Sequence, residues 1–157
     1  MKICGSCKIP ITISAGKTNL TGSATPNGGA VLSTSLLTSP EIKIDIKLQE
    51  VLSPVGIPLE TLRNEILNLS NRKLYYPVDP TSRHDAFVGG TLLCNASGFI
   101  PGEKGATRFW VRAINLLLPG GNLIKARRGQ HLSKNGLFII KDGNDIVKIP
   151  IPKYKRP

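Results

Sequence analysis

Glycine and proline interrupt the chain along its whole length and limit the elements that it can form. There are sixteen glycines and twelve prolines among 157 residues. This share predicts a loop-rich chain, although it lies below the roughly 25–30% that is typical of low complexity. Apolar residues make up 40% of the chain, which excludes disorder by composition. We therefore expect short elements around a real core, in a single domain over residues 1–157.

One segment has clear helical periodicity. Its apolar residues recur at the spacing of a single stripe along a helix, formed by Leu59, Leu62, Ile66 and Leu69. Pro58 suits the first helical position, and Glu60 in the first turn complements the helix dipole. The pattern predicts one helix over about 58–70 that packs through this stripe.

Short strands are expected on both sides of this helix. The clearest alternation runs from Glu41 to Leu48, with apolar residues on one face and charged residues on the other. Residues 8–13 and 30–37 also favour strands, and residues 88–94 favour a buried strand.

The C-terminal third predicts further strands. Residues 107–113 alternate and favour a strand, although Leu116 to Leu118 would equally fit the end of a helix. Residues 137–140 and 146–151 predict a hairpin, because the Asp142-Gly143 dipeptide between them is favoured in tight turns. The fold class predicted is α+β and β-rich, with six to eight short strands in a sheet or small barrel.

Charge is distributed unevenly along the chain. Residues 1–71 carry six Lys or Arg and five acids, whereas residues 72–157 carry fifteen and five. The first 40 residues form a near-neutral segment rich in Ser, Thr and Gly, and residues 152–157 form a basic tail that we expect to be extended. Such asymmetry favours contact with a polyanion.

A stretch of the basic half combines cationic and aromatic side chains. If residues 107–113 form a strand, its alternation places Arg108, Trp110 and Arg112 on one face. Cationic groups neutralise phosphates and aromatic rings stack on unpaired bases. The alternative places Trp110 in the core. The predicted nucleic-acid contacts are Arg108, Trp110, Arg112, Lys125, Arg127, Arg128 and Lys134.

The remaining motifs are incomplete. Cys4 and Cys7 form a C-x-x-C pair, but no second pair completes a zinc site, so inert or locally paired thiols are favoured over zinc binding and over a redox pair. Gly16-Lys17-Thr18 ends like a phosphate-binding loop, yet Ile11 stands where that loop needs a further glycine. We therefore predict neither a metal nor a cofactor.

Several segments over residues 89–138 resemble the thumb region of family X DNA polymerases. They are Gly89 to Leu93, Ala96 to Gly98, Phe109, Arg112 and Leu132 to Phe138. Ile44-Asp45-Ile46 resembles that family's metal-binding strand, but Lys43 stands at the first aspartate position and would repel a metal ion. The resemblance implies an inactive nucleotidyltransferase-like protein. In an active enzyme of this class, Asp45 and Asp79 would be the metal carboxylates.

The charge distribution and the incomplete motifs together predict a non-catalytic protein. We expect a basic structural or accessory component of a nucleoprotein assembly, a virion or a ribonucleoprotein, that contacts nucleic acid and other subunits. A small module that binds an acidic protein is a further alternative. No apolar run approaches the roughly 18 residues of a membrane-spanning helix, and no secretory leader is recognisable. We therefore expect a protein of the cytoplasm or of a viral particle.

Overall fold

The structure is a computed structural model that describes residues 1–118, 120–142 and 145–152. The chain packs as two compact units. The larger unit is Ile9–Trp110, and the smaller unit joins Met1–Lys8 to Val111–Pro157. This division does not test the prediction of a single domain, because a compact unit can be one part of a domain.

The described elements are short and follow each other closely. The helices are α1 (Lys2–Ser6), α2 (Leu59–Leu69), α3 (Val88–Leu93) and α4 (Thr107–Trp110), with a 3-10 turn at Glu103–Gly105. The strands are β1 (Ile11–Ser14), β2 (Ala30–Ser33), β3 (Lys43–Asp45), β4 (Glu50–Leu52), β5 (Ala113–Leu117), β6 (Leu123–Arg127), β7 (Leu137–Asp142) and β8 (Asp145–Pro150). Within the described ranges, no helix is both long and apolar enough to cross a membrane.

The eight described strands pair only in twos. β1 and β2 are parallel, and β3–β4, β5–β6 and β7–β8 are antiparallel pairs. A β-rich chain with few helices is confirmed, whereas the predicted single sheet or small barrel is wrong for the described residues. The strands span only three to six residues, and frequent glycine and proline turns separate them.

The core of the larger unit is built on α2. Leu59, Leu62 and Ile66 are 0%, 2% and 4% exposed, which confirms the predicted stripe at these three positions. The fourth, Leu69, is 50% exposed and was wrongly predicted to be buried. Partly buried residues that precede and follow α2 in the sequence pack on this cluster: Ile42, Ile44, Val51, Ile57, Leu74, Tyr76 and Val88.

Strand β3 is much shorter than the predicted strand over residues 41–48. The Asp45 carboxylate accepts a hydrogen bond from the Leu48 amide at 2.9 Å. Gln49 then adopts a positive φ of 54°, and β4 begins at Glu50. An aspartate side chain that bonds the backbone locally favours a turn. The alternating pattern therefore spans one strand of a hairpin and the turn that follows.

Two predicted strands are helices. Residues 88–93 form α3, where the buried Thr91 hydroxyl donates to the Val88 carbonyl at 2.8 Å. Gly89 lies so close to Val55 that an added Cβ would stand 2.8 Å from the Val55 Cβ. The predicted strand over residues 107–113 is the helical turn α4, and β5 begins only at Ala113. Tertiary contacts overrode a local apolar pattern in both segments.

The smaller unit contains the predicted C-terminal hairpin. β7 and β8 pair in register from Leu137 opposite Pro150 to Asp142 opposite Asp145, which confirms the hairpin. Its predicted turn includes residues 143–144, which lie outside the described residues, as do residues 153–157 of the predicted basic tail.

In the larger unit, strands β1 and β2 confirm the predictions near residues 8–13 and 30–37, although each has only four residues.

Candidate functional site

The seven residues predicted to contact nucleic acid belong to different parts of the fold. Arg108 and Trp110 lie on α4 in the larger unit. The other five belong to the smaller unit, where Lys125 and Arg127 lie on the exposed face of β6. The predicted strand face that unites Arg108, Trp110 and Arg112 is therefore wrong, because the first two lie on a helical turn.

Local contacts define the surroundings of several of these residues. Trp110 is 40% exposed, its indole N–H donates to the Lys104 carbonyl at 2.8 Å, and its ring meets Phe109 edge-on at 5.1 Å. Trp110 is thus not a core residue. The Arg128 guanidinium donates to the Val111 carbonyl at 3.0 Å. These contacts give no test of nucleic-acid binding.

A glycine-containing loop follows β1. We call residues 15–25 the Gly16 loop. The Asn19 side-chain oxygen accepts a hydrogen bond from the Ser23 amide at 3.0 Å, and the Thr25 amide donates to the Gly22 carbonyl at 2.9 Å. Lys17 and Gly22 adopt positive φ angles of 58° and 75°. Local hydrogen bonds thus give the loop a defined shape without a helix or strand.

A second glycine-containing segment packs against this loop. We call residues 85–91 the Gly89 turn, which enters α3. A Cβ at Gly16 would collide with the Asp85 carbonyl oxygen, and one at Gly90 would lie 3.4 Å from the Ala15 Cβ. At Gly16 the two segments can approach this closely only because the residue has no side chain, whereas a Cβ at Gly90 would make an ordinary contact with Ala15.

Most residues of the Gly16 loop are small or carry a hydroxyl group. Residues 15–25 contain Lys17 as their one charged residue, together with four hydroxyl side chains and Asn19. Lys17 is exposed, and Leu20 is fully exposed. Backbone amides in turn conformations, with hydroxyls and one cation beside them, are suited to hold an anion.

Helix α2 holds both the start of the Gly89 turn and the segment before it. No side chain caps its N-terminus; instead the Leu59 amide donates to the Ala86 carbonyl at 2.8 Å, and the Glu60 amide donates to the Arg83 carbonyl at 3.0 Å. The first amides of a helix have no partner within the helix, so an external acceptor is needed when they are buried. Leu59 is completely buried, which explains this arrangement.

Four charged side chains join the same segment to α2. The Glu60 carboxylate lies 2.9 Å from the Arg83 guanidinium and 3.5 Å from that of Arg63. The Asp79 carboxylate lies 3.1 Å from Arg83 and 3.6 Å from Arg63. Each side chain is between 23% and 32% exposed, so this ion-pair cluster is partly shielded from water.

The metal-binding alternative finds no support in these positions. Asp79 is engaged by two arginines, and Asp45 accepts a hydrogen bond within a turn. In the described part of the chain, no group of three or more His, Cys, Asp or Glu side chains could hold a metal ion. Cys4, Cys7 and Cys94 are free thiols.

Tyr76 lies between the ion-pair cluster and α4. Burial raises the pKa of its phenol above the ordinary value of 10.0, and a hydrogen bond with Thr107 and the charge of Arg63 partly offset that rise. The Thr107 hydroxyl also donates to the Ala96 carbonyl at 2.8 Å. Tyr76 therefore links Thr107 of α4 to Arg63 of the ion-pair cluster.

The sequence alone did not identify the pairing of the two glycine segments. Gly16-Lys17-Thr18 lacks the further glycine of a phosphate-binding loop, and Gly89-Gly90 lies in a segment predicted to be a strand. The signal that was available is compositional: residues 15–29 contain four glycines, one lysine and no acid. Only the fold brings this segment beside residues 85–90.

Several curated proteins are similar in sequence to most of this chain. It is 33% identical over 125 residues to a D-lactate dehydrogenase of Anaerostipes hadrus, covering 80% of this chain and 26% of that protein. It is 28% identical to the glycolate oxidase subunit GlcD of Bacillus subtilis, covering 99% and 35%. It is 30% identical to a D-2-hydroxyglutarate dehydrogenase of Xanthomonas citri pv. viticola, covering 74% and 24%. The chain thus spans about a quarter to a third of the length of these relatives.

Solved structures share the fold at low sequence identity. An alkyldihydroxyacetonephosphate synthase superimposes with a TM-score of 0.68 at 18% identity, over 80% of this chain and 24% of that one. The xylooligosaccharide oxidase from Myceliophthora thermophila C1 gives a TM-score of 0.65 at 16% identity, over 80% and 26%. At these identities the likeness concerns the fold alone.

These findings contradict the functional predictions made from charge. Relatives named as dehydrogenases and an oxidase subunit overturn the prediction of a non-catalytic component of a virion or ribonucleoprotein, with nucleic acid and assembly subunits as partners. A positive net charge reports a preference for anions in general, and it does not specify a polynucleotide. A family model described as "FAD binding domain" matches residues 1–127. The chain belongs to this FAD-binding domain family.

Proposed function

We propose that the chain binds FAD through the Gly16 loop and the Gly89 turn, as part of an oxidoreductase that acts on a 2-hydroxy acid. Family membership carries the first half of this proposal. The names of three relatives carry the second, since lactate, glycolate and 2-hydroxyglutarate all have a hydroxyl beside a carboxylate.

The residues present fit the cofactor at its diphosphate. FAD carries two adjacent phosphates, which need hydrogen-bond donors and positive charge. The Gly16 loop offers backbone amides, the hydroxyls of Thr18, Thr21 and Ser23, and the Lys17 ammonium. The loop packs on the Gly89 turn where Gly16 meets residues 85–86 and Gly90 meets Ala15. This contact is made by backbone and a small methyl group, without a bulky side chain.

The protein residues would bind and orient, while the chemistry would come from the cofactor. Bound FAD supplies the capacity to accept two electrons from the substrate. The Gly16 loop would fix the diphosphate, and the ordered hydrogen bonds of Asn19 and Gly22 would hold the loop in shape before binding. A preformed loop lowers the entropy lost on binding.

Titration with FAD tests the first half of the proposal. We expect the 157-residue chain to bind one equivalent of FAD. Quenching of the flavin fluorescence measures this binding. Gly90→Val should weaken binding by about tenfold or more, equivalent to about 1.4 kcal/mol, because its two methyl groups would extend beyond a Cβ that already lies 3.4 Å from the Ala15 Cβ. Gly28→Asn is the matched control, because a Cβ added at Gly28 would meet no atom beyond its chain neighbours within 4 Å and asparagine tolerates its φ of 74°.

Reduction of the bound flavin tests the second half. The FAD-loaded oxidoreductase that contains this chain is mixed without oxygen with D-lactate, glycolate or D-2-hydroxyglutarate, and the visible flavin absorbance is followed. Bleaching by at least one of these acids, and none by the corresponding 2-methoxy acids, supports the substrate class. If none of the three bleaches the flavin, the substrate class is wrong and FAD binding is judged by the titration alone.

A further inference from the structure

The ion-pair cluster of Glu60, Arg63, Asp79 and Arg83 lies beside the proposed FAD site without belonging to the Gly16 loop. Glu60 and Arg63 lie on α2, and Asp79 and Arg83 lie on the segment that precedes the Gly89 turn. We call residues 76–86 the support segment. The arrangement joins the core helix of the larger unit to the backbone against which the Gly16 loop packs.

Arg63 makes the most contacts to the support segment. One terminal nitrogen of its guanidinium donates to the Val78 carbonyl at 2.8 Å and to the Tyr76 carbonyl at 3.2 Å. The same nitrogen lies 3.6 Å from the Asp79 carboxylate. A planar guanidinium with several donors can serve two carbonyls and a carboxylate together, whereas a lysine ammonium is a compact point charge on a flexible stem.

The support segment has little room to move while these contacts persist. Val78 is completely buried, and Gly98 packs so tightly against Asp79 that a Cβ there would collide with the Asp79 backbone. The Ala86 amide donates to the Ser82 carbonyl at 2.8 Å, which gives this end of the segment a turn of fixed shape. Closely packed backbone transmits a displacement because neighbouring atoms leave no free space to absorb it.

The far end of the support segment meets the glycine loop directly. Asp85 and Ala86 lie against the bare α-carbon of Gly16, and the chain then enters α3, where Gly90 lies against Ala15. A continuous series of described contacts therefore runs from Arg63 through residues 76–79 and 83–86 to Gly16.

We propose that Arg63 is a positioning residue for flavin binding: it holds the support segment, and through it the Gly16 loop, in the shape that accepts the FAD diphosphate. This inference rests on the proposed function. Arg63 does not contact the loop itself, so its effect passes through the backbone of residues 76–86. Arg83 assists by joining Glu60 to Asp79 from the segment's own side.

The test compares FAD affinity with stability in the full chain. Arg63→Met should raise the dissociation constant of FAD by about tenfold or more. A shift of about 1 Å in the groups that position a ligand is enough for an effect of this size. The conservative variant Arg63→Lys should recover little of this loss, because it cannot serve the Tyr76 and Val78 carbonyls together. The visible absorption bands of the bound flavin should also shift, since they report the cofactor's surroundings.

Two controls separate positioning from general destabilisation. Ile66→Val removes buried volume from the apolar stripe of the same helix and changes no residue of the ion-pair cluster, so it should lower stability while FAD affinity stays within about twofold. Arg72→Lys changes an exposed arginine beyond the end of α2 and should alter neither quantity. If Arg63→Met does not fold, Arg63→Lys carries the same comparison, because it keeps the positive charge but cannot serve the Tyr76 and Val78 carbonyls together.

The possible results have distinct meanings. An unsubstituted chain that binds no FAD overturns the proposed function and this inference with it. Normal FAD affinity in folded Arg63→Met overturns the positioning role alone. Hydrogen exchange gives an independent readout: amides of residues 15–22 and 83–90 should exchange faster in folded Arg63→Met, and unchanged exchange there would contradict the inference whatever FAD does.

Discussion

The larger and the smaller unit place their apolar residues in different surroundings. In the larger unit, Leu59, Leu62 and Ile66 of α2 are at most 4% exposed. In the smaller unit, Ile139 of β7 and Ile146 of β8 are 45% and 60% exposed. A helix with a packed stripe is covered by several neighbouring segments, whereas a two-stranded hairpin leaves one or both of its faces open. Periodicity therefore indicates burial only where a second layer is present.

The largest expected effect tests the covered stripe. Leu62→Ala and Ile66→Ala should each lower the free energy of unfolding by about 2–5 kcal/mol, because they remove buried methyl groups and leave cavities. Leu69→Ala, on the same helix but 50% exposed, should cost no more than about 0.5 kcal/mol. Urea denaturation of the three variants gives this comparison, and equal losses at Leu62 and Leu69 would contradict the observed burial.

The contact between the glycine segments should give the next largest effect. Gly16→Val places a side chain where the Asp85 carbonyl lies, so we expect a loss of about 1–3 kcal/mol, as for other overpacked sites. FAD binding should weaken in parallel. The control Gly28→Asn faces open space and should stay close to the parent in thermal unfolding. A Gly16→Val variant with parental stability would show that the two segments separate easily.

A pH effect should distinguish two neighbouring tyrosines. Because burial raises the Tyr76 pKa, the folded state keeps the phenol proton at a pH where the unfolded state has released it. The contribution of Tyr76 to stability is therefore complete below pH 10 and is lost as pH rises from 10.0 through the raised value, by at most about 1.4 kcal/mol per pH unit.

The measurement is urea unfolding across this alkaline range. Tyr76→Phe should show a shallower loss of stability with pH than the parent. Tyr75→Phe should follow the parent, because Tyr75 is 72% exposed. Identical slopes in all three proteins would show that Tyr76 ionises as freely in the folded chain as in the unfolded one.

The smallest expected effects are in the hairpin of the smaller unit. Ile139→Ala and Ile146→Ala should each change the unfolding free energy by about 0.5 kcal/mol or less, the usual range for exposed positions. Ile124→Ala serves as the contrast within the same unit, since Ile124 is 8% exposed. Losses at Ile139 or Ile146 that match those at Leu62 would mean that another layer covers the hairpin in solution.

The sequence determined the elements whose pattern needs no distant partner. The stripe of α2, the strands near residues 11 and 30 and the C-terminal hairpin are all visible as local periodicity or turn chemistry. The charge asymmetry was equally clear, but charge favours anions of any kind and led to the wrong partner. A diphosphate cofactor and a polynucleotide present the same phosphate chemistry to a lysine.

The tertiary structure decided what local pattern could not. Residues 88–93 are apolar enough for a buried strand, yet Gly89 packs against Val55 and the segment turns into α3. Asp79 could have been a metal ligand by residue type, but the fold places it between Arg63 and Arg83. The candidate site depends on the meeting of Gly16 with residues 85–86, which are far apart in sequence. Such a contact depends on backbone packing between distant segments, and single residues carry no signal for it.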